Sequence, residues 1–382
     1  KLGCRGMHNG SDTQQQPRVP VEVSDLNATW FTEVLSRHAA GVEVDSVDVV
    51  DAHSGTTGRV AVALRYRDSG DAAVPDRLFV KIAPFDERQR TFIRRVGIGA
   101  AEARIYARLG DELPVRIPRV WHADVDDAAN YVCVLEDVIS SGCRFPRPHD
   151  HDVAEVARST VEELARLHAT YWESDRFASD LSWVPERAGF GAGGGTRPEQ
   201  SQVAGAFVSR ALELFGSEMP EVFRAVGVAY VDHTGAVLDL WDQGQRTLIH
   251  GDPHMGNMFV DGARAGFFDW AMFSRSPGMR DVAYFCCNSI PTEVRRAVEA
   301  DLLSLYREQL HAHGVTIDAS VVEEQYRLFS VYSWVSAVST AAMGARWQPE
   351  RLARGAMQRT TQALADLDVP ELLARRLERM PS

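Results

Sequence analysis

The hydrophobic period of this chain changes once, near residue 150, and that single change limits the folds open to it. Before it, apolar or alternating runs stand between turn residues: VEVDSVDVVDA (42–52), GRVAVALRY (58–66), DRLFVKIA (76–83), RVWHADV (119–125) and NYVCVLEDV (130–138). Such runs predict strands, antiparallel where short loops join them. A short amphipathic helix is predicted over 26–40 and a second in GIGAAEARIYARLG (97–110), closed by Gly110. From Asp152 the period is near 3.6, first in VAEVARSTVEELARLHATYW (153–172), then in 203–215, 219–228 and most of 278–380. Short strands return only within 247–269. The prediction is an α+β chain with a smaller, strand-rich part at 23–138 and a larger, mostly helical part at 139–382. Residues 1–22 are polar and read as a disordered tail, within which Met7 is a candidate natural start.

Composition removes several classes of function. A chain of 382 residues with 45% hydrophobic and 25% charged residues suits one bilobal unit or two domains. No apolar run approaches the ~18 residues of a membrane span. A net charge of −12 opposes nucleic-acid binding, since phosphate backbones are gripped by basic surfaces. Five cysteines without a CxxC pair predict a reduced, cytoplasmic chain. The glycine-rich stretch 189–200 lacks the GK[ST] of a phosphate-binding P-loop and reads as a mobile loop.

Only two of the 41 basic residues are lysines, Lys1 and Lys81. Lys81 stands inside the apolar run LFVKIA, where alternation puts Phe79, Lys81 and Ala83 on one face and Leu78, Val80 and Ile82 on the other. A partly buried ammonium needs a counter-charge. The next helix offers one, because Glu102 shares the stripe of Ile98, Ala101, Ile105 and Leu109. Each residue answers the other's electrostatic problem. Upstream, His53-Ser54-Gly55-Thr56-Thr57-Gly58 forms a hairpin whose Ser54, Gly55, Thr56 and Gly58 could bring backbone N–H groups close to phosphate oxygens.

The densest chemistry is in LIHGDPHMGNMFV (248–260). His250 and His254 would share a metal only on a helix, which Gly251 and Pro253 oppose. As a loop, the segment leaves Asp252 free to accept a hydroxyl proton. Asn257, with Asp269 of FFDW (267–270), supplies the hard oxygen ligands that Mg²⁺ prefers, nucleotide phosphates completing its shell.

The order of LFVK (78–81), AEARIYARL (101–109), VLEDV (134–138), LARLHATYW (164–172), HGDPHMGN (250–257), FFDW (267–270) and PGMRDVAYF (277–285) resembles the aminoglycoside phosphotransferase and ecdysteroid-kinase-like superfamily. The resemblance implies a bilobal protein-kinase-like fold, with an antiparallel-sheet N-lobe plus one helix (23–138) and a mostly helical C-lobe (139–382). It also implies phosphoryl transfer from ATP, with Mg²⁺, to an alcohol. Lys81 would hold the α- and β-phosphates, anchored by Glu102, and Leu135, Glu136 and Val138 would line the adenine. Asp252 would be the catalytic base, and Asn257 and Asp269 the metal ligands. His250 and Asp281 would be structural, and His254 receives no role. Only twelve residues separate Asp269 from Asp281, too few for a peptide-docking segment, so a small-molecule partner is expected.

The sequence does not separate ATP from GTP and is silent on oligomeric state. The chain ends LARRLERMPS, without the acidic terminus common in polyamine-binding relatives. Aromatics offer acceptor contacts instead: Trp172, Phe273 and Trp334 first, with Trp183, Phe190, Trp241 and Trp347 behind them. The expected acceptor is an antibiotic or similar secondary metabolite of nucleoside, macrolide or aminoglycoside type. The alternatives are a choline-, ethanolamine- or steroid-alcohol-type kinase, or a nucleotide-binding regulatory module without turnover.

Overall fold

The computed structural model describes residues 17–71, 73–187, 196–344 and 349–379. Helix α1 (Ala28–Leu35) precedes strands β1 (Glu43–Ser54), β2 (Gly58–Asp68) and β3 (Arg77–Ile82). Helices α2 (Glu87–Val96) and α3 (Ile98–Leu109) follow, then β4 (Val120–Val125) and β5 (Tyr131–Glu136). The strands form one antiparallel sheet in the order β1-β2-β3-β5-β4. Its two faces have different tasks. Val60, Val62, Leu78, Val80, Ile82, Val132 and Val134 pack in one cluster with Phe31, Val34 and Leu35 of α1. The alternate positions, with Lys81, Cys133 and Leu135, turn toward α3 and the rest of the molecule.

Two expectations in this half need correction. Residues Pro17 to Glu22 are packed, not a free tail: Val19 is buried and the Arg18 carbonyl accepts from Trp30 Nε1 at 2.8 Å. Residues 1–16 lie outside the described residues. Helix α2 was not expected, because ERQRTFIRRV is heavily charged, with Ile93 packed in the core. Asp86 caps it, accepting from the Gln89 amide at 2.9 Å, and Gly97 at φ 74° ends it.

The helical half begins with α4 (Val153–Thr170), α5 (Arg197–Phe215), α6 (Glu221–Asp232) and α7 (Thr234–Trp241). The loop expected over 189–200 ends early, because Thr196 and Glu199 form a capping box with Pro198 in the first turn of α5. Residues 188–195 lie outside the described residues. Strand β6 (Thr247–Ile249) pairs with β9 (Ser274–Ser276), and between them β7 (Met258–Asp261) and β8 (Arg264–Phe267) form a hairpin. Helices α8 (Met279–Ser289), α9 (Thr292–Ala312), α10 (Ala319–Met343), α11 (Glu350–Asp366) and α12 (Val369–Leu377) complete the chain. No helix among the described residues is long and apolar enough to cross a membrane.

The hairpin is tied directly to the sheet. Arg116 grips Glu136 through Nη2 at 2.9 Å and Asp261 through Nε at 2.8 Å, and its carbonyl accepts from the Phe267 amide. Arg144 exchanges backbone hydrogen bonds with Val260. These bonds hold the end of β8, and therefore Asp269, beneath β3.

Burial in β4 pulls His122 down to about 4, with Trp30 edge-on to its ring and no partner on Nε2. The unfolded side chain titrates near ~6.5. Between these values the unfolded state binds the extra proton, so stability falls as pH drops from about 6.5 toward 4. Urea titrations of wild type and His122→Leu at pH 7 and 5 should differ in their loss of stability by on the order of 2 kcal/mol, wild type losing more.

Candidate active site

Lys81 is 3% exposed and donates to both Glu102 oxygens, at 2.8 and 2.9 Å. Alternation along β3 turns its side chain inward, and the third residue of this cluster arrives from the other half of the chain. Asp269 Oδ2 lies 3.4 Å from Lys81 Nζ, so a sheet residue, a helix residue and a residue after β8 meet at one point. Arg59 stands opposite Lys81 across β2 and β3 and reaches Asp269 at 4.0 Å.

Charge balance decides the protonation of this cluster. Burial opposes the Lys81 ammonium, but Asp269 and Glu102 together hold its pKa above the ordinary lysine value. Burial also opposes ionisation of Asp269, yet Lys81 and Arg59 hold its carboxyl below the usual range. Glu102 is pushed up by its burial, which Lys81 only partly offsets. Two carboxylates thus face one buried ammonium. Arg59 supplies the second positive charge, 4.0 Å from Asp269, which is 21% exposed while Glu102 is 1% exposed. Asp269 adopts φ 65°, an uncommon backbone state for a non-glycine residue and a frequent one at functional positions.

The loop after β6 carries the remaining groups. Asp281, in the first turn of α8, accepts from the His250 amide at 2.7 Å and the Gly251 amide at 2.9 Å. Its other neighbour is His168 of α4, at 3.4 Å, itself held by Tyr306. Gly251 sits at φ 86°, and a Cβ there would meet the Met272 carbonyl at 2.0 Å, so only glycine fits. Burial keeps His250 below its ordinary pKa and neutral. Its Nδ1 accepts from the Asp252 amide at 3.3 Å, and Nε2–H donates to the Phe268 carbonyl at 3.1 Å.

Asn257 Nδ2 donates to the Asp252 backbone carbonyl and to its carboxylate, each at 3.0 Å. That orientation leaves Asn257 Oδ1 free to act as a ligand. The Asn257 carbonyl also accepts from the Phe268 amide, which brings it beside Asp269. Among the described residues no three His, Cys, Asp or Glu side chains form a metal cage. An amide oxygen and one open carboxylate do fit a hard cation whose other ligands are phosphate and water. His254, without an expected role, caps the next turn through Nδ1 and places Nε2 3.6 Å from Asp252 Oδ2.

The other expected residues divide. Ser54 and Gly58 pair at the mouth of the β1–β2 hairpin, with Gly55 and Thr56 in its turn. A Cβ at Gly58 would strike the Phe85 ring at 2.5 Å, whereas Gly55 has open space around it. Leu135 and Glu136 end β5, where the lobe connection begins. Both pair with β3, Leu135 pairs also with β4, and the Glu136 carboxylate is held by Arg116 and the Arg119 amide. Val138 lies just beyond the sheet, its carbonyl taken by Cys143.

Of the expected aromatic contacts, Trp334 is corrected by its burial. Trp334 is fully buried, with Nε1–H donating to Thr361 and its ring edge-on to Phe223. Phe273 is buried against Trp183, and Trp172 packs on the main core. Trp241 is the expected aromatic that does line a cavity, one of about 240 Å³. Phe190 and Trp347 lie outside the described residues. The cavity borders the 250–257 loop: Met272 is in its wall, Tyr332 OH donates to the Gly251 carbonyl at 3.4 Å, and Ser336 meets Tyr284 OH at 3.1 Å. Burial and the nearby Asp252 keep the Tyr284 hydroxyl protonated.

A sequence model of the phosphotransferase enzyme family matches residues 61–315, which contain Lys81, Glu102, Asp252, Asn257, Asp269 and Asp281. The chain belongs to that family. Its members' activity class, transfer of phosphate to a hydroxyl of a small molecule, is therefore that of this phosphotransferase. A choline kinase from Cryptosporidium parvum Iowa II superposes with a TM-score of 0.52 at 10% identity, covering 91% of this chain and 99% of that one. A protein of Ralstonia eutropha assigned as an aminoglycoside phosphotransferase gives 0.48 at 13% identity, over 87% and 97%. A choline kinase from Streptococcus pneumoniae gives 0.47 at 15%, over 88% and 98%. The first of these shows the shared bilobal kinase-like fold. No curated protein matches the chain in sequence.

Asp281→Ala would leave two buried amides and His168 without their acceptor. Urea denaturation should show a loss of about 3–5 kcal/mol relative to wild type, the range for breaking a buried charged network.

Proposed function

We propose that the chain moves the γ-phosphoryl group of ATP to a hydroxyl of a small molecule held in the cavity beside residues 250–257. The observation that carries this reading is the 3.4 Å approach of Lys81 to Asp269, alongside an Asp252 carboxylate held by Asn257. One cleft then contains a cation for phosphates, a pair of oxygen ligands and an oriented acid.

Each residue receives a role from its surroundings. The Lys81 ammonium, fixed by Glu102, contacts the α- and β-phosphates, and the Ser54–Gly58 turn covers them from above. Val138, at the end of the sheet, meets the adenine edge through its backbone. Asn257 and Asp269 would hold Mg²⁺, which supplies charge neutralisation on the phosphates when bound. Asp252 accepts the proton of the acceptor hydroxyl as the new oxygen–phosphorus bond forms. The bond from Pγ to the bridging oxygen breaks, and its electron pair leaves with ADP. GTP would satisfy the phosphate contacts equally.

The division of labour assigns nucleotide binding to an N-lobe of 23–138 and the catalytic loop and acceptor to a C-lobe of 139–382. An antibiotic or similar secondary metabolite suits an acceptor cavity with apolar walls such as Val203, Trp241 and Met272. Cys133, Cys143, Cys286 and Cys287 are free thiols, which suits the cytoplasm.

Asp252→Asn should lower kcat about 10²- to 10⁴-fold, while calorimetry finds the MgATP Kd within about twofold of wild type. An unchanged rate of acceptor-dependent ADP release would remove Asp252 from the reaction. Lys81→Met and Asp269→Asn should each weaken MgATP binding by about tenfold or more in the same calorimeter. Chelating magnesium should do likewise for wild type and change little in Asp269→Asn.

A further inference from the structure

The acceptor cavity is lined by three guanidinium groups, Arg187, Arg197 and Arg280, and among the described residues by one acid, Asp242. Asp242 is already engaged by Arg187 and Arg197 together. Arg280 makes no ion pair among the described residues. Its guanidinium lies 3.9 Å from the centre of the Tyr332 ring, and its buried Nε has no hydrogen-bond partner. A half-buried guanidinium with unused donors costs desolvation that an incoming anion would recover.

The position of this group matters as much as its charge. Arg280 precedes Asp281, which holds the His250 and Gly251 amides, and Tyr332 beneath it donates to the Gly251 carbonyl. The free donors therefore stand at the edge of the loop that carries Asp252. A cationic acceptor would meet like charge there. Nor can Tyr332 stack a quaternary ammonium on this face, since Arg280 already occupies it. The segments following Arg187 and Gly344 in sequence, 188–195 and 345–348, contain no Asp or Glu that could reverse the balance.

We infer that the acceptor is an alcohol carrying a carboxylate or comparable anionic group on an apolar frame, read by Arg280, and not a polyamine or a choline-like cation. The inference rests on the reading above that this cavity takes the acceptor.

A matched series tests it without nucleotide: 3-(4-hydroxymethylphenyl)propanoate, its primary amide, and the corresponding propylamine, titrated calorimetrically into the full chain. The expected order of affinity is carboxylate, then amide, then amine, with about tenfold or more between the ends. Arg280→Gln should collapse the carboxylate-to-amide ratio to about twofold or less, and Arg280→Lys should keep the order with a smaller ratio. Thermal melting of both variants reports whether they are folded. Equal binding of the three, preference for the amine, or no binding by any of them overturns the inference. So does an Arg280→Gln that lowers MgATP affinity while leaving the ratio unchanged, because the guanidinium would then serve the phosphates. The Asp252→Asn and nucleotide measurements are independent of this series, so failure of the inference is distinguishable from failure of the reading it rests on.

Discussion

A buried lysine bonded to two carboxylates that come from different parts of the chain is the constraint around which this fold is arranged. Neither charge sign is tolerable alone at that depth. Lys81 needs α3 to deliver Glu102, and it needs the β7–β8 hairpin to deliver Asp269. The Arg116 and Arg144 contacts that fasten the hairpin to the sheet therefore serve the cluster as well as the fold. Arg59 adds the second positive charge, and of the two carboxylates Asp269 is the one that faces solvent. On the proposed function that open carboxylate would also take a cation, so the same residues would be both structural and chemical.

On the opposite wall of the cleft, rigidity comes from hydrogen bonds to backbone. Asp281 holds two consecutive amides, His250 bridges the loop to the carbonyl before Asp269, and Gly251 packs where no side chain could. Asp252 is left at the end of this frame, its carboxylate hydrogen-bonded by Asn257 with His254 Nε2 3.6 Å away. Positioning of this kind reduces the reorganisation that phosphoryl transfer would otherwise require.

Much of this was legible in the sequence where one physical demand singled out one residue. A lysine in an apolar strand demands an acid, and an acid on the inner stripe of the next helix demands a base. Both demands point to the contact of Lys81 with Glu102. What escaped was set by pairing across the chain. Arg59 reaches Asp269 only because strand register places it opposite Lys81. His168 meets Asp281 across 113 positions. Helix α2 was hidden by its charges. The aromatic residues misled because size alone does not show direction. Trp334 and the cavity residues share α10, but Tyr332, Val335, Ser336, Ser339, Thr340 and Met343 form the opposite stripe.

That stripe has a consequence for how such a protein can diverge. One face of α10 is locked into the interior through Trp334, while the other lines the cavity and meets the 250–257 loop through Tyr332. On the proposed function, drift at Val335, Ser339, Thr340 and Met343 would exchange one small molecule for another while sparing both the 250–257 loop and the packing that keeps the helix in place. A gene duplicated from this one would carry a ready substrate dial, mounted on a part that selection for folding already holds still.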